Sequence, residues 1–476
     1  MSLDQIPAEL LHNVCSHCSK HEIRSLRLTS RFVSAVADEH FLRDLVLFYL
    51  RSEFDTVEEI VKNPRVAKGV RSVRFQADRL LSRGDGPKGF SKIRKSVARL
   101  GNLTAPQPSE DDAVPVESER QQRQRRREVV KHKAPAPAKL AAKEAEFTYL
   151  KLYLDQAELM TEERSMICMQ RLFTACPKLD SAIVTMQHYA DTGPTLMSPA
   201  PWHSVRMFLQ LQVTPWRDDM SSRILCRPSN ELVTAAFEAG RKLKSLTLSP
   251  ISHQFFSQEE EAMAELHSVI SELEQVHICL DGEFEFDRDD AAEEARMQAM
   301  EDEGIAIDEI LESVAETHDE AARRVLGALE DERVARFLHH APSLSEISLK
   351  GPIVDEPHLK PVELSHLVGT DPPWTHLRSL TLLEFSCEHP QLVALILKYR
   401  DSLEHLRLEG AKIDSSLNWW RVWEAIAGKL PKLKTFKIDD DILLWSRVSY
   451  WKKDAVQALE RYILTGERPH ISEIWM

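Results

Sequence analysis

The sequence predicts an α/β protein: a small three-helix module at the N-terminus, followed by an irregular repeat solenoid whose short strands form a parallel concave sheet. Three observations carry this expectation. A short apolar word, L-x-x-L-x-L with substitutions, recurs along the chain. Segments with helical spacing precede several copies, and proline often stands between the helix and the word. Only 15 glycines in 476 residues argue against an all-β protein full of tight turns, whereas 24 prolines suit repeated interruption between regular elements.

At the N-terminus, Pro7 presets the backbone of a first helical turn, and Leu10, Leu11, Val14 and Cys18 follow at helical spacing. A second stripe runs through Ile23, Leu26 and Leu28 to Phe32 and Val36, and Phe41, Leu42 and Leu45 begin a third helix. Three short helices in about 45 residues bury too little to be comfortable alone, so the module calls for a partner. Ile6-Pro7-Ala8-Glu9-Leu10-Leu11-x-x-Val14 together with Ser30-Arg31-Phe32 resembles the F-box family, over about the first tenth of the chain. Cys18 stands where that family usually has leucine and Phe41 near its usual tryptophan, and both keep the position apolar. The resemblance implies docking onto the Skp-type adaptor of a cullin-RING ubiquitin ligase. The residues it assigns to that contact are Ile6, Pro7, Glu9, Leu10, Leu11, Val14, Leu26 and Phe32.

The domain boundaries follow from composition. Residues 1–50 are the helical module, and 51–83 hold a connecting helix and a first repeat-like strand at Val70, Val73 and Phe75. Residues 84–146 are rich in Pro, Gly and charge and poor in large apolar side chains, which reads as a disordered linker. Within it, residues 119–133 hold seven Arg or Lys against two Glu. They lack the interleaved aromatics that base stacking needs, so nucleic-acid binding is not expected.

Residues 147–476 carry the remaining copies of the word, at Leu179, Leu243, Leu273, Leu344, Leu377, Leu403 and Leu433. The last four starts lie 33, 26 and 30 residues apart, a step suited to one strand and one helix per repeat. Helical patterns precede the copies: Leu232, Val233, Ala236 and Phe237 closing at Gly240; Met263, Leu266 and Ile270 opening on a capping box at Ser257-x-x-Glu260; and Leu392, Leu395, Ile396 and Tyr399. Pro177, Pro342 and Pro431 each stand two residues before the first Leu of a copy, where they disfavour continuing the helix. The pattern resembles the fungal F-box proteins with divergent leucine-rich repeats. Six of the nine tryptophans, Trp419, Trp420, Trp423, Trp445, Trp451 and Trp475, crowd the C-terminal end, as a solenoid cap or a recognition pocket would require.

Charge and cysteine usage bound the chemistry. The formal charge of -14 is concentrated in residues 281–320, an acidic insertion with 17 Asp or Glu against two Arg, which leaves the remainder near neutral. Seven scattered cysteines without framework spacing read as reduced thiols, and no secretory signal or long apolar run appears, so a soluble cytoplasmic or nuclear protein is expected. His12, Cys15, His17, Cys18 and His21 offer zinc-type donors, but no second donor pair follows at ligand spacing. No phosphate loop, nucleophile elbow or His-Glu-x-x-His is present, so no catalytic residue, metal or cofactor is assigned.

Period-two alternation turns the residues between the apolar positions of the word towards the concave face. Arg74, Thr247, His277, Ser348, Thr381, Arg407 and Lys437 are placed there, and Arg407 and Lys437 with Arg378 and Lys434 form a basic strip suited to an acidic or phosphorylated target. The reading is therefore a non-catalytic substrate receptor, holding the adaptor with its first helices and a target protein with its strands. A ligase-independent interaction scaffold is the alternative.

Overall fold

The structure is a computed structural model. It describes residues 3–76, 164–185, 226–280, 325–352, 360–413, 417–438 and 453–468, with residues 155, 158, 159 and 323 besides. The linker read at 84–146 and the acidic insertion read at 281–320 lie outside the described residues.

Three short helices open the chain, α1 Ala8–His17, α2 Lys20–Leu26 and α3 Arg31–Phe41. Pro7 takes the N-cap of α1. Ser19 and Glu22 form a reciprocal capping box on α2, and the Ser30 hydroxyl accepts from the Val33 amide at the start of α3. These caps split the expected second stripe into two helices, since the chain turns at residues 27–30. Leu11, Cys15, Ile23, Val33, Val36 and Ala37 make the small core, with Ile6, Ala8, Cys18, Leu26 and Phe41 packed against it. Arg27 ties α2 to α3 through a 2.6 Å ion pair with Asp38, and its guanidinium lies 4.1 Å from the centre of the Phe41 ring.

The helix expected to begin at Phe41 does not form. Phe41 closes α3, and Asp44–Phe48 is strand β1, with Leu45 and Leu47 turned to the buried face. The strand is followed by α4 Arg51–Val61, α5 Pro64–Ala67 and β2 Ser72–Gln76. β1 pairs directly with β2, and β2 with β3 Ser181–Thr185. Residues 84–146 therefore fall between two paired strands. They do not separate the N-terminal helices from the sheet, as a linker between two domains would.

The chain continues through α6 Arg164–Ala175 into β3, then α7 Arg227–Glu238, β4 Ser245–Ile251, α8 Glu260–Ile270 and β5 Gln275–Leu280. Further along the chain come α9 Arg333–His339, β6 Glu346–Lys350, α10 Leu364–Val368, β7 Ser379–Leu383, β8 Ser386–Cys387 and α11 His389–Lys398. The last elements are β9 His405–Glu409, β10 Lys412–Ile413, α12 Leu417–Ile426, β11 Thr435–Ile438 and α13 Lys453–Thr465. Among the described residues nine strands form one sheet in the order β1-β2-β3-β4-β5-β6-β7-β9-β11, and β8 and β10 pair apart from it. Every pair in the large sheet is parallel. The α/β class and the large parallel sheet expected from the sequence are thus present.

All eight copies of the apolar word become strands, and the register stacks them position by position. Val73, Ala182, Leu246, Val276, Ile347, Leu380, Leu406 and Phe436 form one row, and Phe75, Val184, Leu248, Ile278, Leu349, Leu382, Leu408 and Ile438 the next. Both rows are buried. β1 extends them with Leu45 and Leu47, and with Leu42 before them it is a ninth copy of the word, at residues expected to begin a helix.

The entry to each strand is held in the same way. The carbonyl of Arg43 accepts from the amides of Arg71 and Ser72, that of Arg71 from Asp180 and Ser181, and that of Asp180 from Lys244 and Ser245. The carbonyls of Lys244, Glu274, Ser345, Arg378 and Glu404 do the same for the strands after them. On the buried face α6 packs on α4 and α7, α7 on α8, α9 on α10 and α11 on α12.

The helix boundaries agree with the proline reading: α6, α9 and α12 stop before Pro177, Pro342 and Pro431. Gly240 ends α7 at a φ of 63°, with the Arg241 amide donating to Ala236 O. The capping box expected at Ser257 is absent. Ser257 closes a 3-10 turn, its hydroxyl donating to His253 O, and Glu259 precedes α8 without a side-chain cap. Gly69 is required by a close approach, since a Cβ there would lie 2.1 Å from the Glu39 carbonyl oxygen of α3.

Leu380→Ala should lower the free energy of unfolding by about 2–5 kcal/mol, whereas Thr381→Ala on the opposite face should stay within about 0.5 kcal/mol. Urea unfolding of both variants checks the assignment. Equal losses would show that the two faces have been exchanged.

Candidate functional site

Two surfaces collect the residues singled out from the sequence. The first is on the N-terminal helices. α1 buries Leu11 and Cys15, so the helical stripe of the sequence is divided: Leu11 is 0% exposed, whereas Leu10 is 56% and Val14 48% exposed. Leu11 belongs to the core and cannot face a partner, a correction to its assignment as an adaptor contact. Ile6 and Leu26 are half-buried against the same core. Pro7 and Glu9 are exposed, as is Phe32 at the start of α3.

The structure adds Leu28, which is 88% exposed, and Leu3. Leu28 was counted in a helical stripe, but it sits in the turn between α2 and α3, where its amide donates to Ser25 O. Among the described residues, five of the eight exposed large apolar side chains (Leu3, Leu10, Val14, Leu28 and Phe32) fall within the first 32 residues. That concentration distinguishes this part of the surface from the rest.

A hydrogen-bond chain joins α1 to α3 beneath this surface. The Arg43 guanidinium donates to His40 Nδ1. His40 therefore carries its proton on Nε2 and donates it to His12 Nδ1, 2.9 Å away. Burial, followed by the charge of Arg43, pushes the His40 imidazole down to about 4. Cys15 is buried and its thiol is pushed up, first by burial and then by Cys18. No group of three His, Cys, Asp or Glu side chains stands ready to hold a metal among the described residues.

The second surface is the open face of the sheet. The register aligns Arg74, Ile183, Thr247, His277, Ser348, Thr381, Arg407 and Lys437 in one row. A parallel row runs through Ser72, Ser181, Ser245, Gln275, Glu346, Ser379, His405 and Thr435. Over β4 to β7 the two rows line a shallow depression of about 180 Å³. His277 Nδ1 and Ser348 Oγ are hydrogen-bonded at 2.7 Å, and burial pushes the imidazole down. The depression also contains Ser245, Thr247, Gln275, Glu346, Ser379 and Thr381. Its chemistry is that of hydroxyls and amides with a single carboxylate.

Beyond the depression the expected cations stand together, with carboxylates interleaved among them. Arg407 is paired with Glu409, and Lys434 with Glu404. The Lys434 hydrogen bond holds the Glu404 carboxyl below its ordinary range, with the charges of Arg378 and His405 acting in the same direction. Burial raises the Glu460 carboxyl of α13, with the charge of Lys437 opposing it. Lys244 and Glu274 pair at 3.0 Å nearer the N-terminal side. Arg407 and Lys437 are neighbours across β9 and β11, and the acids that pair with the cations, Glu409 on the same strand and Glu404 at the entry to the adjacent one, were not counted in the sequence.

The C-terminal tryptophans divide between core and surface. Trp419 and Trp423 stack at 4.8 Å and are buried, and Trp423 meets Phe436 of β11 edge-on at 5.5 Å. Trp420 is half-buried, stacked on Tyr462 of α13, with Arg468 5.5 Å over its ring. This set packs α12 and α13 against the last strand. Trp445, Trp451 and Trp475 lie outside the described residues.

Comparison with known proteins found no matching family model and no curated protein of significant similarity.

The depressed His40 predicts a pH dependence. Its folded value of about 4 lies below the ordinary 6.5, so the unfolded chain binds more protons between these values. Stability from this group is complete above about pH 6.5 and is lost as the pH falls towards 4. Urea midpoints at pH 7 and pH 5 should therefore fall less in His40→Gln than in the unaltered chain. An identical fall in both would remove His40 from the pH response.

Proposed function

We propose that this chain is the substrate-recognition subunit of a cullin-RING ubiquitin ligase, with an F-box in its first helices and an irregular leucine-rich repeat solenoid in its sheet. The observation that carries the reading is the concentration of exposed apolar side chains on the N-terminal helices, at the end of a sheet whose strands follow one another in chain order. Leu10, Val14, Leu28 and Phe32 supply the adaptor-facing apolar contact, with Pro7 and Glu9 at its edge. Burying a Leu or Val side chain contributes about 1.5–3 kcal/mol, so two or three of them suffice for a hot spot.

The sequential parallel sheet supports the repeat reading, because one strand and one helix per step leave a whole face of strands open to a target. The receptor contributes no chemistry of its own. It raises the effective concentration of a target near the ubiquitin-loaded enzyme.

The test is recovery of the Skp-type adaptor and cullin with the tagged chain, beside a Leu10→Glu, Val14→Glu variant. Both positions are exposed, so the variant should unfold at the same urea concentration as the unaltered chain. Adaptor recovery should fall by at least about tenfold, the effect of losing 1.4 kcal/mol or more. Absence of adaptor with both chains, each shown to be folded, would overturn the receptor reading and favour a ligase-independent scaffold.

A further inference from the structure

The depression on β4 to β7 holds one charged side chain, and it has no partner among the described residues. Glu346 occupies the centre of the depression on β6, flanked in its row by Gln275 of β5 and Ser379 of β7. Its carboxylate is exposed and forms no ion pair or hydrogen bond among the described residues. Among the described residues no cation pairs with Glu346, and Lys244, Arg407 and Lys434 are engaged with Glu274, Glu409 and Glu404. Within the depression the neighbouring row offers only uncharged groups, Thr247, Ser348, Thr381 and a His277 imidazole that is hydrogen-bonded to Ser348. Within the depression the one charged side chain is therefore Glu346, and the hydroxyls around it can accept further hydrogen bonds from a cation's N–H groups.

We propose that the depression on β4 to β7 receives a lysine or arginine side chain of the target protein, with Glu346 as its counter-ion. This rests on the reading of the sheet face as the target-binding surface. It reverses the polarity expected from the basic residues alone. A phosphate or carboxylate placed here would meet Glu346 at close range, and like charges so placed repel. An arginine fork would fit the carboxylate in two-point fashion, and an ammonium would share it with the Ser348 and Ser379 hydroxyls.

The experiment uses the full chain and pools of short labelled peptides, randomised except for a fixed central Lys, Arg, Leu, Glu or phosphoserine, read by fluorescence anisotropy. Lys- and Arg-centred pools should bind at least about tenfold more tightly than the Glu and phosphoserine pools, as a charge-assisted hydrogen bond provides. That preference should vanish in Glu346→Gln, and Glu346→Lys should favour the acidic pools. Preference for acidic or phosphorylated pools in the unaltered chain, equal binding of all pools, or no binding of any overturns the proposal.

An Arg125→Ala, Arg126→Ala, Arg127→Ala chain is measured alongside. A severalfold gain for the basic pools in that variant would make the chain's own basic run the occupant and overturn assignment to a target. Adaptor recovery does not involve Glu346. Loss of adaptor binding in the unaltered chain would thus count against the receptor reading, and an unchanged peptide preference in Glu346→Gln against this one.

Discussion

One backbone arrangement underlies the sheet. At the entry to each strand, the carbonyl of the residue before the first paired position accepts the amides of two consecutive residues of the next strand. The carbonyls of Arg43, Arg71, Asp180, Lys244, Glu274, Ser345, Arg378 and Glu404 repeat this from β1 to β11. Because the side-chain period of a strand is two, this fixed entry determines which residues are buried and which face outward. A slip of one residue would exchange the two faces along the whole strand. The buried Leu, Val, Ile and Phe rows then make each strand's position depend on its neighbours, since no single strand–helix unit buries its apolar face alone.

The same constraint joins the N-terminal helices to the sheet. β1 leaves α3 directly and pairs with β2, and Gly69 brings the turn after α5 against the Glu39 carbonyl. Lys68 and Lys178 both pair with the Glu39 carboxylate, at 3.6 and 3.4 Å. The helices and the sheet consequently belong to one compact unit. The surface of α1 and the open face of the strands are therefore carried by the same body.

The electrostatics of the open face follow from neighbour relations across strands. Lys244 meets Glu274, and Lys434 meets Glu404, because each pair occupies equivalent positions one strand apart. Such exposed pairs contribute little stability, because solvent screens them. They engage Lys244 and Lys434 with carboxylates, while Glu346 stands as the one charge in the depression. Like-charged neighbours at these positions would have weakened the sheet and made its face uniformly basic.

The strand positions were legible in the chain because burial imposes a local pattern: Leu344-x-x-Ile347-x-Leu349 must alternate to fill one face, and Pro342 must end the helix before it. β1 escaped that reading. Leu42-x-x-Leu45-x-Leu47 has the form of the word, but it directly follows a helix, and Phe41, Leu42 and Leu45 fitted a helical spacing equally well. Only pairing with β2 distinguishes the two.

On α1, spacing placed Leu10 and Leu11 on one stripe, but the helix can turn just one of them inward, and the packing of α3 against α1 assigns that position to Leu11. Charge pairing was invisible for a related reason. Lys434 and Glu404 are 30 residues apart, and nothing local to either one indicates that the fold makes them neighbours. Period and punctuation are properties of short segments, whereas facing and pairing depend on which distant segments become adjacent.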